Sequence, residues 1–161
     1  MSWKTIGDGV IPTRQGDVFV CEHEEYGLFW GRVLYAKACC PINGPPHLVV
    51  ERYAIVGGTR DSIPALDRSN LLGAPMFLDM QIWEDLLVEV VGNQPFDEGE
   101  LPKRGVFQLG NEYHDEFCVA YEAGFEPEGE ALESGEASTA GYLSLMERTA
   151  KGRPERLTWL D

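Results

Sequence analysis

The stretch "RQGDVFVCEHEEYGLFWGRVLYA", residues 14–36, contains two apolar runs that are joined by a short acidic loop. Runs rich in Val, Phe, Trp and Tyr that are bounded by Gly and Asp are typical of a β-hairpin. The second run carries Gly31 and Arg32 at its centre. Glycine weakens the interior of a strand unless a bulge, a sharp bend or the close approach of another backbone requires it.

We therefore predict that the unusual residues of this hairpin have a structural role. Arg32 needs a partner, and the candidates are the rings of Trp30 and Tyr35 or, in a bidentate pair, the carboxylate of Asp17. A ligand-binding role for the Arg32 charge is the alternative. The predicted structural motif comprises Gly16, Asp17, Phe19, Trp30, Gly31 and Arg32.

The rest of the chain continues the β pattern. Short runs of β-branched and aromatic residues are separated by Gly, Pro, Asn and Asp at intervals typical of antiparallel sheets. The sequence predicts a mainly β, single-domain fold: a strongly curved antiparallel sheet or small barrel of about six to seven strands, with one short C-terminal helix. Beyond the hairpin, the predicted strands are 47–56, 75–81, 86–91, 105–109 and 116–121.

Three regions follow from the composition. Residues 1–121 form the β-rich core, and residues 122–138, rich in Glu, Gly, Ala and Ser, read as a solvated acidic linker. Residues 139–161 are predicted to form a short helix and a tail that pack on the core. Ser138 or Thr139 is the expected N-cap of a helix that runs to about residue 150.

The charge is unevenly distributed along the chain. Of 161 residues, 13 are Lys or Arg and 27 are Asp or Glu, which gives a net charge of −14. Charges balance over residues 1–60, so residues 61–161 carry the whole excess. Such a surface repels phosphate backbones and attracts basic proteins, so we expect no nucleic acid and a basic protein partner.

The sequence also suggests a location. The N-terminal residues lack a basic and apolar leader pattern, and no later run approaches the length of a membrane span. We therefore expect a cytoplasmic protein without membrane contact. Its cysteines are expected to be thiols, with no disulfide framework. The sequence leaves open whether the adjacent pair Cys39 and Cys40 has a redox or metal-binding role.

Catalytic and metal-binding patterns are weak. Cys21 with His23 and His114 with Cys118 offer zinc ligands, but neither pair has the CxxC spacing that makes such a site specific. No phosphate-binding glycine motif is present. We predict no enzyme activity, no metal and no cofactor. The alternative is a small β-barrel that binds or hydrolyses a small molecule through His23, His114 and a cysteine.

The opening hairpin carries a family resemblance. "GDVF" at 16–19, a polar loop, and an aromatic residue followed by "GRVL" at 31–34 resemble the immunity protein 26 family of bacterial polymorphic toxin systems. The order of later strands, including "PMFLDM" at 75–80, is similar, so the resemblance covers about residues 14–121. It implies a mostly β protein that binds a cognate toxin and blocks it without catalysis.

The acidic loops around residues 105–109 are the predicted toxin-binding face. Loops carry binding residues more often than strands do, and carboxylates steer a basic partner. We expect a monomer or weak dimer, whereas an adaptor subunit, the third class considered, would expose an apolar patch at Trp3, Trp83 or Trp159. The predicted partner-binding residues are Asp97, Glu98, Glu100, Glu112, Asp115 and Glu116.

Overall fold

The fold is mainly β, as predicted. The computed structural model describes residues 2–40, 44–101, 105–117, 119–127, 131–133 and 138–161. Its strands are β1 Asp17–His23, β2 Gly27–Cys40, β3 Gly44–Gly57, β4 Met76–Leu78, β5 Val88–Asn93, β6 Phe107–Leu109, β7 Glu112–His114, β8 Leu132–Glu133 and β9 Thr158–Leu160. Its α-helices are α1 Gln81–Glu84 and α2 Thr139–Gly152.

The strands form two sheets within the described residues. The larger sheet has the order β4-β3-β2-β1-β5, all antiparallel, and β9 adds a parallel pairing to the far end of β3. The smaller sheet has the order β7-β6-β8. The β2–β3 register shifts at several points, and such irregularities bend strands. The sheet is not closed into a barrel, so the open-sheet form of the prediction is the one observed.

One face of the larger sheet packs against α2. Phe19, Phe29 and Val33 from the first hairpin share this core with Tyr142 and Met146 of the helix, and all five are buried. The Ser138 hydroxyl accepts a hydrogen bond from the Gly141 amide at 3.0 Å. The predicted C-terminal helix and its Ser138 cap are therefore confirmed.

The opposite face is covered in two places. Trp30 and Tyr53 pack with Leu66 of the loop between β3 and β4. Further along, Phe77 of β4 packs with Phe107 of β6, with ring centroids 4.8 Å apart. The second contact positions the smaller sheet, which carries the site described below.

Several local predictions differ from the structure, among them the solvated linker 122–138, which contains β8 and the stacked ring of Phe125. Residues 39–47, with Asn43-Gly44 followed by two prolines, are predicted from the sequence as a loop with a tight turn, but β2 extends to Cys40 and β3 begins at Gly44, with residues 41–43 outside the described part. The end of run 75–81 begins α1, and the tail forms β9. Residues 116–121 were predicted as a strand, but β7 lies earlier and a turn follows it. The turn forms because the Asp115 carboxylate accepts hydrogen bonds from backbone amides within it.

Candidate functional site

Gly31 of β2 lies against Tyr142 of helix α2. A Cβ added to Gly31 would stand 2.5 Å from the Tyr142 hydroxyl and 2.7 Å from the Phe19 ring. Atoms cannot approach so closely, so any side chain here would push the helix away or displace the ring. The glycine inside the strand is required by the close approach of two side chains, whereas the sequence predicted a bulge, a bend or the approach of another backbone.

Arg32 points to the opposite face and is almost completely buried, with 2% of its surface exposed. Its Nε donates to the Tyr53 hydroxyl at 2.9 Å, and its Nη1 and Nη2 donate to the carbonyl oxygens of Gln94 and Leu66 at 3.1 and 3.3 Å. The guanidinium also lies 3.7 Å from the centroid of the Phe96 ring. These contacts tie three segments together, which is a structural role.

The predicted partners of Arg32 need correction. Asp17 does not pair with it; its carboxylate accepts hydrogen bonds from the amides of Thr13 and Arg14, both at 3.1 Å, and from Asn93 Nδ2 at 2.9 Å. The ring beside the guanidinium is Phe96, not Trp30 or Tyr35. Asp17 is occupied because the turn before β1 leaves backbone amides that its carboxylate satisfies.

Arg32 belongs to a buried polar network that sequence analysis missed. The Tyr53 hydroxyl donates to Glu51 Oε2 at 2.6 Å, and Arg68 Nε lies 2.6 Å from Glu51 Oε1. Burial, followed by the hydrogen bond to Glu51, raises the pKa of Tyr53 well above its ordinary value. Glu51 stands opposite Arg32 in the strand register, so an acidic residue within the apolar run 47–56 was the available signal.

The six predicted partner-binding carboxylates do not form one exposed face. Asp97 and Glu98 are exposed in the loop before β6, Glu100 is half-buried, and Glu112 is exposed. Asp115 and Glu116 are buried. Glu116 Oε2 accepts a hydrogen bond from the Gly105 amide at 2.7 Å, so this carboxylate binds the local backbone and does not face solvent.

Asp115 shapes a turn that we call the apolar tip, residues 115–117 and 119. Its Oδ1 accepts hydrogen bonds from the amides of Phe117 and Val119 at 2.9 and 3.0 Å, and its own amide donates to the Val119 carbonyl at 2.9 Å. Phe117 and Val119 are 58% and 57% exposed. The buried carboxylate therefore holds two apolar side chains out in solvent.

A cleft next to the apolar tip has aromatic and acidic walls. We call it the aromatic cleft, and its volume is about 510 Å³. The rings of Tyr121 and Phe125 stack at 4.1 Å with an interplanar angle of 11°, and Tyr113 meets Phe125 edge-on at 6.0 Å. The residues that line the cleft are Asn111, Glu112, Tyr113, Ala120, Tyr121, Glu122, Ala123, Gly124 and Phe125.

The aromatic cleft lies in a part of the chain without positive charge. Residues 105–147 contain ten Asp or Glu and no Lys or Arg. Of the acidic residues in this range, Glu112 and Glu122 line the cleft and are exposed. Glu112 was predicted, whereas Tyr121, Glu122 and Phe125 were not; the available signal was an aromatic residue at every fourth position from 113 to 125.

The two candidate histidines, His23 and His114, lie in different sheets. His23, in β1, is buried between Trp3 and Tyr26; its Nδ1 accepts a hydrogen bond from the Glu25 amide at 3.1 Å, and Nε2 lies 3.3 Å from Glu147 Oε2. His114, in β7, is buried and stacks on Phe107. Neither histidine lines the aromatic cleft.

The cysteines do not support the alternative hydrolytic site, which needs a cysteine nucleophile. Cys21 is buried, and burial raises the pKa of its thiol, which opposes formation of the nucleophilic thiolate. The Cys39 and Cys40 side chains and the whole of Cys118 lie outside the described part. Among the residues that the structure describes, no three His, Cys, Asp or Glu side chains are grouped to hold a metal ion.

The tryptophans considered for an apolar patch differ in exposure. Trp83 of α1 is buried, so it cannot contribute to a surface patch. Trp3 is half-buried and Trp159 of β9 is 45% exposed. No helix within the described residues is both long and apolar enough to span a membrane.

The fold and the aromatic cleft define a mainly β protein with an acidic surface cleft and an apolar tip. No family model matches the chain, and neither a curated protein nor a solved structure matches it. The resemblance of the opening hairpin to the immunity protein 26 family therefore stays a prediction.

Proposed function

We propose that this protein is a cytoplasmic, non-catalytic immunity protein that binds a basic toxin and neutralises it. The observation that carries the proposal is the aromatic cleft beside the apolar tip, in a part of the chain that has no Lys or Arg. Aromatic residues and rigid apolar anchors supply affinity at protein interfaces, and surrounding charges supply steering. The resemblance of residues 14–34 to immunity proteins supports the same function.

The structure supports a revised binding surface for this function. Phe117 and Val119 supply apolar area that costs little to order, because Asp115 already fixes the turn. Glu112 and Glu122 supply charge next to that area. Asp115 and Glu116 act inside the protein, so we no longer assign them direct contact with the toxin.

The test uses the protein encoded by the gene next to this one, where that gene encodes a toxin domain. Purified full-length chain is expected to form a complex with the toxin domain on a sensor surface and to inhibit its activity at a one-to-one ratio. Phe117→Ala is expected to weaken the complex, whereas Val10→Ala, at another exposed apolar residue, is the matched control. Absence of binding to that toxin domain would contradict the proposal.

A further inference from the structure

We propose that the aromatic cleft receives an arginine side chain of the protein partner. This inference rests on the proposed function, because it names the chemistry of the partner at the same surface. The occupant is the planar guanidinium group. Because the Tyr121 and Phe125 rings cover each other's inner faces, it stacks on the outer face of this ring pair and pairs with the carboxylates. Phe117 and Val119 of the apolar tip then contact the apolar surface around that arginine.

The aromatic walls are suited to a cation. Tyr121 and Phe125 stack with nearly parallel planes, and Tyr113 meets Phe125 at an angle of 65°. The face of an aromatic ring carries negative potential and attracts Lys, Arg or other cations within about 6 Å of its centroid. The cleft volume of about 510 Å³ falls within the range of about 300–1,000 Å³ usual for ligand sites.

The electrostatics of the cleft also favour a cation. Glu112 and Glu122 line it, and no Lys or Arg is among the lining residues. Along the sequence, the basic residues that flank the acidic range 105–147 are Arg104 and Arg148. Within the described part of the chain, the cleft therefore holds negative charge that no lining side chain neutralises, and a cation from a partner complements it.

The cleft walls are fixed before a partner arrives. The Tyr121 hydroxyl donates to the Gly105 carbonyl at 2.9 Å, and the Tyr121 amide donates to the Tyr113 carbonyl at 2.9 Å. The Phe125 amide donates to the Glu122 carbonyl at 3.1 Å, which closes the turn between the two stacked rings. A preformed site loses little conformational entropy on binding.

The combination of rings and carboxylates selects arginine over lysine. A guanidinium is planar and weakly hydrated, so it stacks on aromatic faces while its N–H groups pair with carboxylates in a fork geometry. An ammonium group is a compact and strongly hydrated point charge that matches this arrangement less well. We therefore expect arginine to bind more tightly than lysine at this cleft.

The experiment is an NMR titration of the full chain, with labelled Tyr and Phe rings, against N-acetyl-arginine amide. Saturable shifts of the Tyr113, Tyr121 and Phe125 resonances are expected, with the citrulline analogue, the neutral isostere, binding at least about tenfold more weakly. The lysine analogue is expected to fall between them. Equal, unsaturable shifts for the arginine and citrulline compounds would overturn the inference.

A charge variant tests the site within the protein. Glu112→Gln with Glu122→Gln is expected to reduce the arginine affinity about tenfold or more, whereas Glu84→Gln with Glu155→Gln, at exposed positions on other elements, is the matched control. If the Glu112→Gln, Glu122→Gln variant binds N-acetyl-arginine amide as tightly as the control variant and the unmodified chain do, the site assignment is wrong.

The toxin complex separates this inference from the proposed function. If the toxin domain binds the chain but the arginine compound does not bind at the cleft, the arginine site is wrong and the immunity function stands. If the arginine compound binds at the cleft but the toxin domain does not bind the chain, the immunity function is wrong. If the Glu112→Gln, Glu122→Gln variant binds the toxin domain as tightly as the unmodified chain does, the assignment of the cleft as an arginine site is also wrong.

Discussion

The Tyr142 hydroxyl of α2 lies 2.5 Å from the position that a Cβ on Gly31 would occupy. The helix therefore contacts the sheet at a β2 residue that has no side chain. The same position lies against the Phe19 ring, which limits movement on the other side.

We predict that Gly31→Ala lowers the free energy of unfolding by about 1–3 kcal/mol and that Gly31→Val lowers it further, because both overpack this contact. Denaturant unfolding measures the change. Gly152→Ala is the control, since no atom lies within 4 Å of a Cβ there. In Gly31→Ala with Tyr142→Phe, loss of the hydroxyl is expected to restore part of the stability; an unchanged Gly31→Val stability would refute the account.

The buried charge of Arg32 leads to a second prediction. Arg32→Ala removes three hydrogen bonds and the contact with Phe96, and it leaves Tyr53 and Glu51 in a buried site with fewer partners. We expect a loss of roughly 3 kcal/mol or more. Arg14→Ala, at an exposed arginine, is the control. Toxin affinity of the folded fraction is expected to be unchanged, and selective loss of affinity would instead indicate a ligand-binding role.

The tyrosines whose pKa is raised predict weaker stability at alkaline pH. Burial, and next the charge of Glu116, raises the pKa of Tyr35 to about 12, and burial raises the pKa of Tyr53 and Tyr142 as well. A raised folded-state pKa means that the folded chain retains protons that the unfolded chain releases above about pH 10. The stabilising effect is complete below about pH 10 and is lost as pH rises towards each folded-state pKa.

We therefore predict that the free energy of unfolding falls above about pH 10, by roughly 1.4 kcal/mol per pH unit for each such tyrosine. Unfolding curves at a series of pH values measure the slope. Tyr53→Phe is expected to make the slope shallower by about one tyrosine, whereas Tyr26→Phe, at a half-buried ring, is the control. Identical slopes for Tyr53→Phe and the unmodified chain would contradict the prediction.

The turn held by Asp115 leads to a fourth prediction. Asp115→Ala removes the acceptor of the Phe117 and Val119 amides, so hydrogen exchange at these amides is expected to become faster. Phe117→Ala removes a side chain that is mostly exposed, so exchange and stability are expected to stay within about 0.5 kcal/mol of the original. Both variants are expected to dissociate faster from the toxin. Unchanged exchange in Asp115→Ala would show that the carboxylate does not hold the turn.

The carboxylates of the aromatic cleft predict that association with a basic toxin depends on salt. Raising salt from about 50 to about 500 mM shortens the Debye length from above about 10 Å to below about 5 Å, so association with a basic toxin is expected to slow markedly. Glu112→Gln with Glu122→Gln is expected to reduce this salt dependence, and Glu84→Gln with Glu155→Gln is not. Kinetic measurements on a sensor surface provide the rates. Rates that are independent of salt would exclude steering by this surface.

Sequence reasoning predicted the structural features that depend on residues close together in the chain. Runs of Val and aromatic residues in the opening hairpin predicted β1 and β2, and Ser138 or Thr139 as the N-cap predicted the start of α2. The special status of Gly31 was also visible, because glycine inside a strand needs an external reason. These features are encoded within one element and its flanking turns.

The remaining features depend on residues far apart in the chain. Arg32 meets the carbonyls of Leu66 and Gln94, and no local pattern links positions 32, 66 and 94. The parallel pairing of β9 with β3 is likewise a distant contact. The cleft was missed because Phe125 was assigned to a solvated linker, whereas its ring stacks on Tyr121. Composition cannot reveal such stacking.

The docking of α2 over Gly31 also bears on folding during translation. Strands β1 to β5 are complete once residue 93 has been made, but the helix that covers their apolar face ends at Gly152. At about 5–20 residues per second, the ribosome delivers the helix roughly 3–12 s later. During that interval Phe19, Phe29 and Val33 lack the cover of α2, so the nascent chain is expected to be a substrate for chaperones that bind exposed apolar surface.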